Sequence, residues 1–497
     1  SGGEADHGFV NNGGTAVISA DIPDIQDVFV GSGAGTSGTL NQTGGTIHGG
    51  AGAQNGWTFV GQNGGTGTYN LSGGTSDNER LYIGRLGGTG TATISGTGLV
   101  QWATNPGAGE FVVGIDAGSM GTATMSGTGA VNTGLVLFGV GGAIGNLTMS
   151  DDSSITSSGN VEFQNSVVTV TGNASIDAGN EIWIGQAGGN SATLNQDSGT
   201  VEADTWIAIG RDSATGVVNL SGTATLRKIN NGSDNSDGSF IVLGGIGTGG
   251  SGTLNISENA VVQSDTGMVL NETAGQAGIV NQSGGTVTLH DFTPQDFQPT
   301  YGASLNIDPN GHGQGEYHLS GGTLNAETVQ VGGGVFDMSG GVFSATNFMG
   351  DLTQGGGTLS PGASPGTMTV TGDYSLDSGD LFIELDGLAA GTEYDQLIVT
   401  GDVSLAGDLT LDVGFSPSLG DMFTIIDNQG ANAISGMFAQ GSSISAGGFL
   451  FGINYGGGDG NDVVLTVVPE PSTALLSLVM TGLIAVAVQR RQRHRTA

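Results

Sequence analysis

The feature that most constrains this chain is a repeat. A short apolar run closed by glycine recurs as Val28-Phe29-Val30-Gly31, Thr58-Phe59-Val60-Gly61, Leu81-Tyr82-Ile83-Gly84, Phe111-Val112-Val113-Gly114, Val136-Leu137-Phe138-Gly139, Ile182-Trp183-Ile184-Gly185, Ile207-Ala208-Ile209-Gly210, Ile241-Val242-Leu243-Gly244 and Val329-Gln330-Val331-Gly332. A glycine-rich turn follows, then a second segment of the type Gly67-Thr68-Tyr69-Asn70-Leu71-Ser72-Gly73-Gly74-Thr75. This segment recurs around Leu40, Ile94, Met125, Met149, Leu194, Leu220, Ile256, Val280, Leu319 and Met338. From Gly31 to Gly244 the closing glycines are 30, 23, 30, 25, 46, 25 and 34 residues apart, and the interval of 46 reads as two units with a degraded copy around Val161 to Val170.

A unit of this size holds two or three short strands and cannot bury its own apolar face, whereas stacked units can. Within the second segment, Tyr69 and Leu71 alternate with Asn70 and Ser72, which turns one set inward and the other outward. The expected fold is all-β: a right-handed parallel β-helix, or β-solenoid, of about 12 or more coils, with a β-rich C-terminal cap and a single C-terminal transmembrane helix. At about 4.8 Å per coil the rod is roughly 60 Å long. A β-propeller is the alternative, but its blades need about 40 or more residues.

Composition agrees with short strands and many turns: 98 glycines, with 11% charged and 6% aromatic residues. The net charge of -36 conceals an asymmetry, because four of the nine basic residues are Arg490, Arg491, Arg493 and Arg495. Residues 1 to 468 therefore carry 5 basic against 44 acidic side chains, or -39. Such a surface repels nucleic acid and anionic lipid. The absence of cysteine excludes disulfides and thiolate metal sites. The chain starts at Ser1 without an apolar leader, so an export signal is expected upstream.

The expected organisation is solenoid repeats over 1–285, an irregular insertion with further coils over 286–350, a C-terminal β region over 351–468 and a sorting tail over 469–497. Thr293-Pro294, Gln298-Pro299 and Asp308-Pro309, with Phe292, Phe297 and Tyr301 nearby, interrupt the rhythm between 286 and 317. Such an insertion marks either a binding face or an elaborated turn. Beyond Leu352 the strands lengthen, through Leu359-Ser360-Pro361-Gly362-Ala363-Ser364-Pro365-Gly366, Glu393-Tyr394-Asp395-Gln396-Leu397-Ile398-Val399 and Leu405-Ala406-Gly407-Asp408-Leu409. Residues 350 to 468 resemble the C-terminal end of autotransporter passenger regions and their associated β-strand repeats, a resemblance that implies a solenoid continuation or cap and no catalytic module.

After Val467 and Val468 the prolines of Pro469-Glu470-Pro471 forbid a continuing ladder or helix. Sixteen uncharged residues, Thr473 through Val488, precede Gln489 and the arginine cluster. At 1.5 Å per residue they span about 24 Å, somewhat short of the hydrocarbon core. The arginines hold that end cytoplasmic and put residues 1 to 470 outside. Motif, apolar run and basic end together resemble the PEP-CTERM sorting signal. That resemblance implies processing by an exosortase in a Gram-negative bacterium with exopolysaccharide genes, a transient membrane anchor through residues 473–488, and release near Pro469, Glu470 and Pro471.

Parallel β-helices include pectinases and polysaccharide lyases, so catalytic sites were sought. Asp151-Asp152, Gly311-His312-Gly313 and Arg227-Lys228-Ile229 contain the elements of a polygalacturonase-type signature, yet their order and spacing are wrong. About six units separate Asp151 from His312, roughly 30 Å. Arg211 is the one candidate base for a lyase. His312, Glu316 and His318 could ligate a metal, although His318 falls in the column held by Asn70 and Asn255, which makes it an outward ladder residue. Two segments suggest Ca²⁺: Asp234-Asn235-Ser236-Asp237-Gly238, and Gly457-Gly458-Asp459-Gly460-Asn461-Asp462, which fits one copy of a Ca²⁺-binding nonapeptide but reads better as a hairpin turn. With no catalytic cluster, the expected function is a structural or adhesive solenoid of the extracellular polysaccharide matrix, with exopolysaccharide or matrix proteins as partners. A polysaccharide-active enzyme and a calcium-dependent adhesin are the alternatives.

Overall fold

The structure, a computed structural model, describes residues 7–49, 56–103, 105, 107–229, 240–245, 250–291 and 303–470. The chain divides into two compact units, Ser1–Gly341 and Val342–Ala497.

The first unit is a parallel β-solenoid with three strands per coil, each stacked in register on its counterpart in the next coil. The first ladder contains the apolar runs and climbs thirteen described rungs, from His7–Val10 through Asp27–Ser32, Trp57–Gln62 and Arg80–Arg85 to Leu305–Ile307 and then Val329 to Val331. The second ladder contains the alternating segment, as in the pairing of Thr66–Leu71 with Thr89–Ile94. The third is shorter, as in Thr75–Asp77 on Leu99–Gln101. The degraded copy is a full coil: Val161–Phe163 continues the first ladder and Ser166–Val170 the second.

The corner after the first strand explains the closing glycine. At Gly61 φ is +69°, and a Cβ there would lie 1.9 Å from the carbonyl oxygen of Thr89 on the following coil. Conformation and space both exclude a side chain. Four of the thirteen corners carry another residue, Asn11, Gln164, Asn271 and Asp308; of these Asn271 and Asp308 keep a positive φ, 58° and 49°, are fully buried, and are joined by Asn271 Nδ2 donating to Asp308 Oδ1 at 3.1 Å. Asn and Asp are the residues that tolerate this region best after glycine.

Inward columns such as Leu40, Tyr69, Ala92, Ala123 and Leu147 are at most 1% exposed. A polar device recurs within that core. Gln42, Gln196 and Gln282 end second-ladder strands and point inward, each donating from Nε2 to one carbonyl in its own turn and one on the next coil. These are Gly45 and Thr75, both at 2.9 Å; Gly199 and Thr225, both at 2.9 Å; and Gly285 at 3.4 Å and Thr323 at 2.9 Å. The amide oxygen is satisfied where the next coil supplies tyrosine: the hydroxyl of Tyr69 donates to Gln42 at 2.5 Å and that of Tyr317 to Gln282 at 2.6 Å. Val218 stands in that column above Gln196, whose Oε1 has no partner.

The second unit repeats the pattern and then ends it. Thr367–Thr371, Gln396–Val399 and Met422–Asn428 form a parallel ladder, and Gln354 reproduces the polar device with Gly357, Asp380 and the hydroxyl of Tyr374. Asp395 is fully buried and accepts the amides of Gly366 and Glu384 at 2.7 and 2.8 Å; burial pushes its pKa up to about 6. The direction then reverses. Asp462–Val468 pairs antiparallel with Met422–Asn428 and with Phe449–Gly457, so a hairpin covers the growing edge of that ladder. The boundaries at 285, 350 and 468 remain a proposal about domain organisation; the compact units meet at Gly341. The expected helix over 473–488 lies outside the described residues, among which no helix is long and apolar enough to cross a membrane.

Replacing Tyr317 by Phe strands the buried Gln282 oxygen, and the expected cost is about 1–3 kcal/mol. A urea titration checks it: the midpoint falls while the slope stays that of the wild type.

Candidate functional site

The second ladder presents its outward side chains as a flat, uncharged array. Eleven consecutive strands, from Gly14–Ile18 through Gln276–Leu289, contain no Asp, Glu, Lys, Arg or His. In a region of net charge -39 that is a marked exclusion. One outward column runs Asn41, Asn70, Thr93, Thr124, Thr148, Thr169, Asn195, Asn219, Asn255 and Asn281 in strict register. Beside it, two residues earlier, stand Thr39, Thr68, Thr91, Thr122 and Asn146. Nine steps of about 4.8 Å make the column roughly 43 Å long.

The asparagines are linked along the column. Nδ2 of Asn70 donates to Oδ1 of Asn41 at 2.8 Å, Asn219 to Asn195 at 2.8 Å, Asn255 to Asn219 at 2.8 Å and Asn281 to Asn255 at 2.9 Å. Every donor points back one coil, so the amides polarise one another. Each keeps a second N–H and a lone pair for a ligand. The sequence signal was the Asn or Thr before the last inward residue of each segment.

His318 continues this column above Asn281, as its sequence position implies. Its ring is 2.9 Å from Glu316 and 3.3 Å from Asp337, so the charge-free array stops there. Burial works against its charge, but the two carboxylates hold the imidazolium above its ordinary range. His312 belongs to a different feature: its amide donates to the buried Asp308 at 2.8 Å, within the turn that Asp308 caps.

The remaining sequence candidates do not converge. Asp151 accepts the amide of Gly127 at 2.9 Å and Asp152 accepts from Asn173 at 3.0 Å, so both tie turns of adjacent coils together. Arg227 is paired with Glu202, Lys228 is fully buried, and the guanidinium of Arg211 lies 4.2 Å from the Trp183 ring. Asp459 and Asp462 flank the turn between antiparallel strands, where Asp462 is 7% exposed and accepts the amide of Asn428 at 3.0 Å. Asp234 and Asp237 lie outside the described residues. Among those described, no group of three or more His, Asp or Glu could hold a metal ion. Pro469 and Glu470 are exposed immediately after the last strand, while Pro471, Arg490, Arg491, Arg493 and Arg495 fall outside.

Fold and surface together define an all-β protein built on a parallel β-solenoid. Residues 467–491 match the family described as the PEP-CTERM protein-sorting motif, so the chain carries that sorting motif, which indicates an exported, cell-surface protein. No curated protein matches the chain. Among solved structures it is similar to the Haemophilus influenzae Hap adhesin, at 12% identity and a TM-score of 0.25. That alignment covers 94% of this chain but 64% of the Hap chain.

The raised pKa of His318 sets the sign of a pH effect. The contribution from its carboxylate partners is fully present below the ordinary histidine range and is lost as pH rises through the elevated folded value. Thermal melts from pH 6 to 9 are therefore expected to show a downward trend that His318→Asn, which keeps the column polar, removes; an identical trend in the variant excludes this source.

Proposed function

We propose that the chain is a non-catalytic, matrix-associated solenoid that binds extracellular polysaccharide through the uncharged Thr and Asn array. The observation that carries this reading is the array itself: ten rungs of hydroxyl and amide groups, registered by the backbone and free of charged side chains. A glycan cleaved by acid–base chemistry needs convergent carboxylates or a base at one point. The outward side of these rungs offers donors and acceptors spread evenly along a line, which suits holding a polymer by many weak contacts.

Delivery completes the reading. An exosortase acting on Pro469, Glu470 and Pro471, with residues 473–488 as a transient inner-membrane anchor and the arginines on the cytoplasmic side, releases the ectodomain at the surface of a Gram-negative cell. The autotransporter-like character assigned to 351–468 is part of the same proposal, and the antiparallel hairpin in that region supports a capping role.

Two experiments bear on this. Thr91→Glu combined with Thr122→Glu places charge at the middle of the array, and binding to polysaccharide purified from the producing cells is expected to fall at least about tenfold, equivalent to about 1.4 kcal/mol; unchanged binding refutes the array as the contact surface. Mass spectrometry of the secreted protein is expected to find a C-terminus near Glu470, and recovery of Arg495 in that fraction counts against release.

A further inference from the structure

The second ladder is ordered in two directions, and holding a polymer along a line uses only one of them. Five consecutive strands, Ser37–Gln42, Thr66–Leu71, Thr89–Ile94, Met120–Met125 and Ile144–Met149, pair parallel with no shift of register. Outward side chains fall at the first, third and fifth position of each strand, so this face is a grid of three columns and five rungs. Nine of the fifteen side chains are threonine and three are asparagine; Thr89, Thr91 and Thr93 fill the central rung. All fifteen are exposed or half-buried, while the inward residues between them are buried.

The chain holds this grid flat and evenly spaced. The second residue of every one of these strands is glycine, and a Cβ at Gly90 would lie 2.2 Å from the carbonyl oxygen of Val60, at Gly121 2.3 Å from that of Ile83. Each strand is therefore seated against the end of a first-ladder strand at the same depth. Threonine, branched at Cβ, has few rotamers in a strand, so its hydroxyl and methyl are placed in advance. Rungs are about 4.8 Å apart, and alternate residues along a strand about 6.7 Å. Water oxygens on the prism faces of hexagonal ice repeat on a rectangular net of nearly these dimensions. Five rungs are too few for the mismatch to put the rows out of step.

We propose that the grid is an ice-binding face, with the surface of an ice crystal as its ligand; the proposal goes beyond the matrix-binding reading and does not rest on it. Each threonine presents a hydroxyl that can take a place in the water lattice and a methyl that orders the water beside it. Met120 and Ile144, 46% and 42% exposed, extend the apolar part at one edge. Charge is the second argument. Ice takes up no ions, so a charged side chain on the face would hold liquid water against the crystal. The grid has none, in a chain whose residues 1 to 468 carry -39. A dissolved polymer gripped through one column would not require the second spacing.

The test grows ice slowly from a dilute solution of the full-length chain and measures the ratio of protein in the ice to protein in the remaining liquid. The wild type is expected to enter the ice, while serum albumin, an acidic protein used as control, is rejected. Thr91→Glu combined with Thr122→Glu is expected to lower that ratio at least about tenfold, equivalent to about 1.4 kcal/mol. Thr156→Glu, at an exposed position of the third-ladder strand Ser154–Ser157, is expected to keep the wild-type ratio. Circular dichroism shows whether each variant is folded. Should the paired glutamates unfold the chain, Thr91→Tyr, which suits a strand but stands above the grid, is expected to give the same loss. Rejection of the wild type, a wild-type ratio in a folded grid variant, or an equal loss in Thr156→Glu overturns the proposal. The two readings fail separately, because one assay contains no glycan and the other no ice. A chain that binds purified matrix polysaccharide but is rejected by ice sinks this proposal alone. One that enters ice yet ignores the polysaccharide sinks the matrix reading alone.

Discussion

The register of the first unit depends on a tight corner that in most coils leaves no room for a side chain. Where the chain leaves the first strand it turns with positive φ, and the carbonyl of the following coil closes over the turn so that a Cβ at Gly61 would meet it at 1.9 Å. This contact fixes how far each coil advances and how it is rotated on the last one. Strict register follows: inward columns stay inward and outward columns stay outward over many rungs. A relaxed corner would let a strand slip by one residue and turn every alternate side chain to the wrong side. The ordered Asn column is a consequence of that geometry.

The solenoid was legible because its constraints are local. Glycine at the corner, alternation in Tyr69-Asn70-Leu71 and the mid-twenties period each follow from a rule that acts within one coil or between neighbours. The coils around Met268-Val269-Leu270 and Leu305-Asn306-Ile307 were harder to see, because Asn271 and Asp308 replace glycine at the corner and relieve each other's burial through a mutual hydrogen bond. That compensation joins residues 37 positions apart and leaves no local trace. His318 was placed correctly by its column alone, without knowledge of Glu316 and Asp337 as its partners.

The apolar runs show the same legibility. Runs such as Phe111-Val112-Val113 are continuously apolar, a pattern that signals burial on both sides of a strand. All three are fully buried, and the middle residues join two buried clusters, Phe59 with Tyr82 and Val112, and Ala208 with Phe240, Val242 and Val269, against which half-buried tryptophans pack. The pairing Arg80 with Trp57 joins residues on adjacent coils, and only the register of the first ladder reveals it.

Charge distribution sets the second ladder apart. Residues 1–468 carry -39, and Asp116, Asp151, Asp197 and Asp212 sit in turns, while the eleven second-ladder strands hold no charged side chain. Under the matrix-binding proposal such a face favours neutral, polyhydroxylated partners over polyanions. A parallel stack supplies such faces at low cost: once one coil is compatible with its neighbours, adding coils lengthens the binding line without any new design problem. On the proposed reading, affinity for a polymer grows with the number of rungs rather than with the quality of any single contact, so no one residue of the Thr and Asn array is expected to be indispensable.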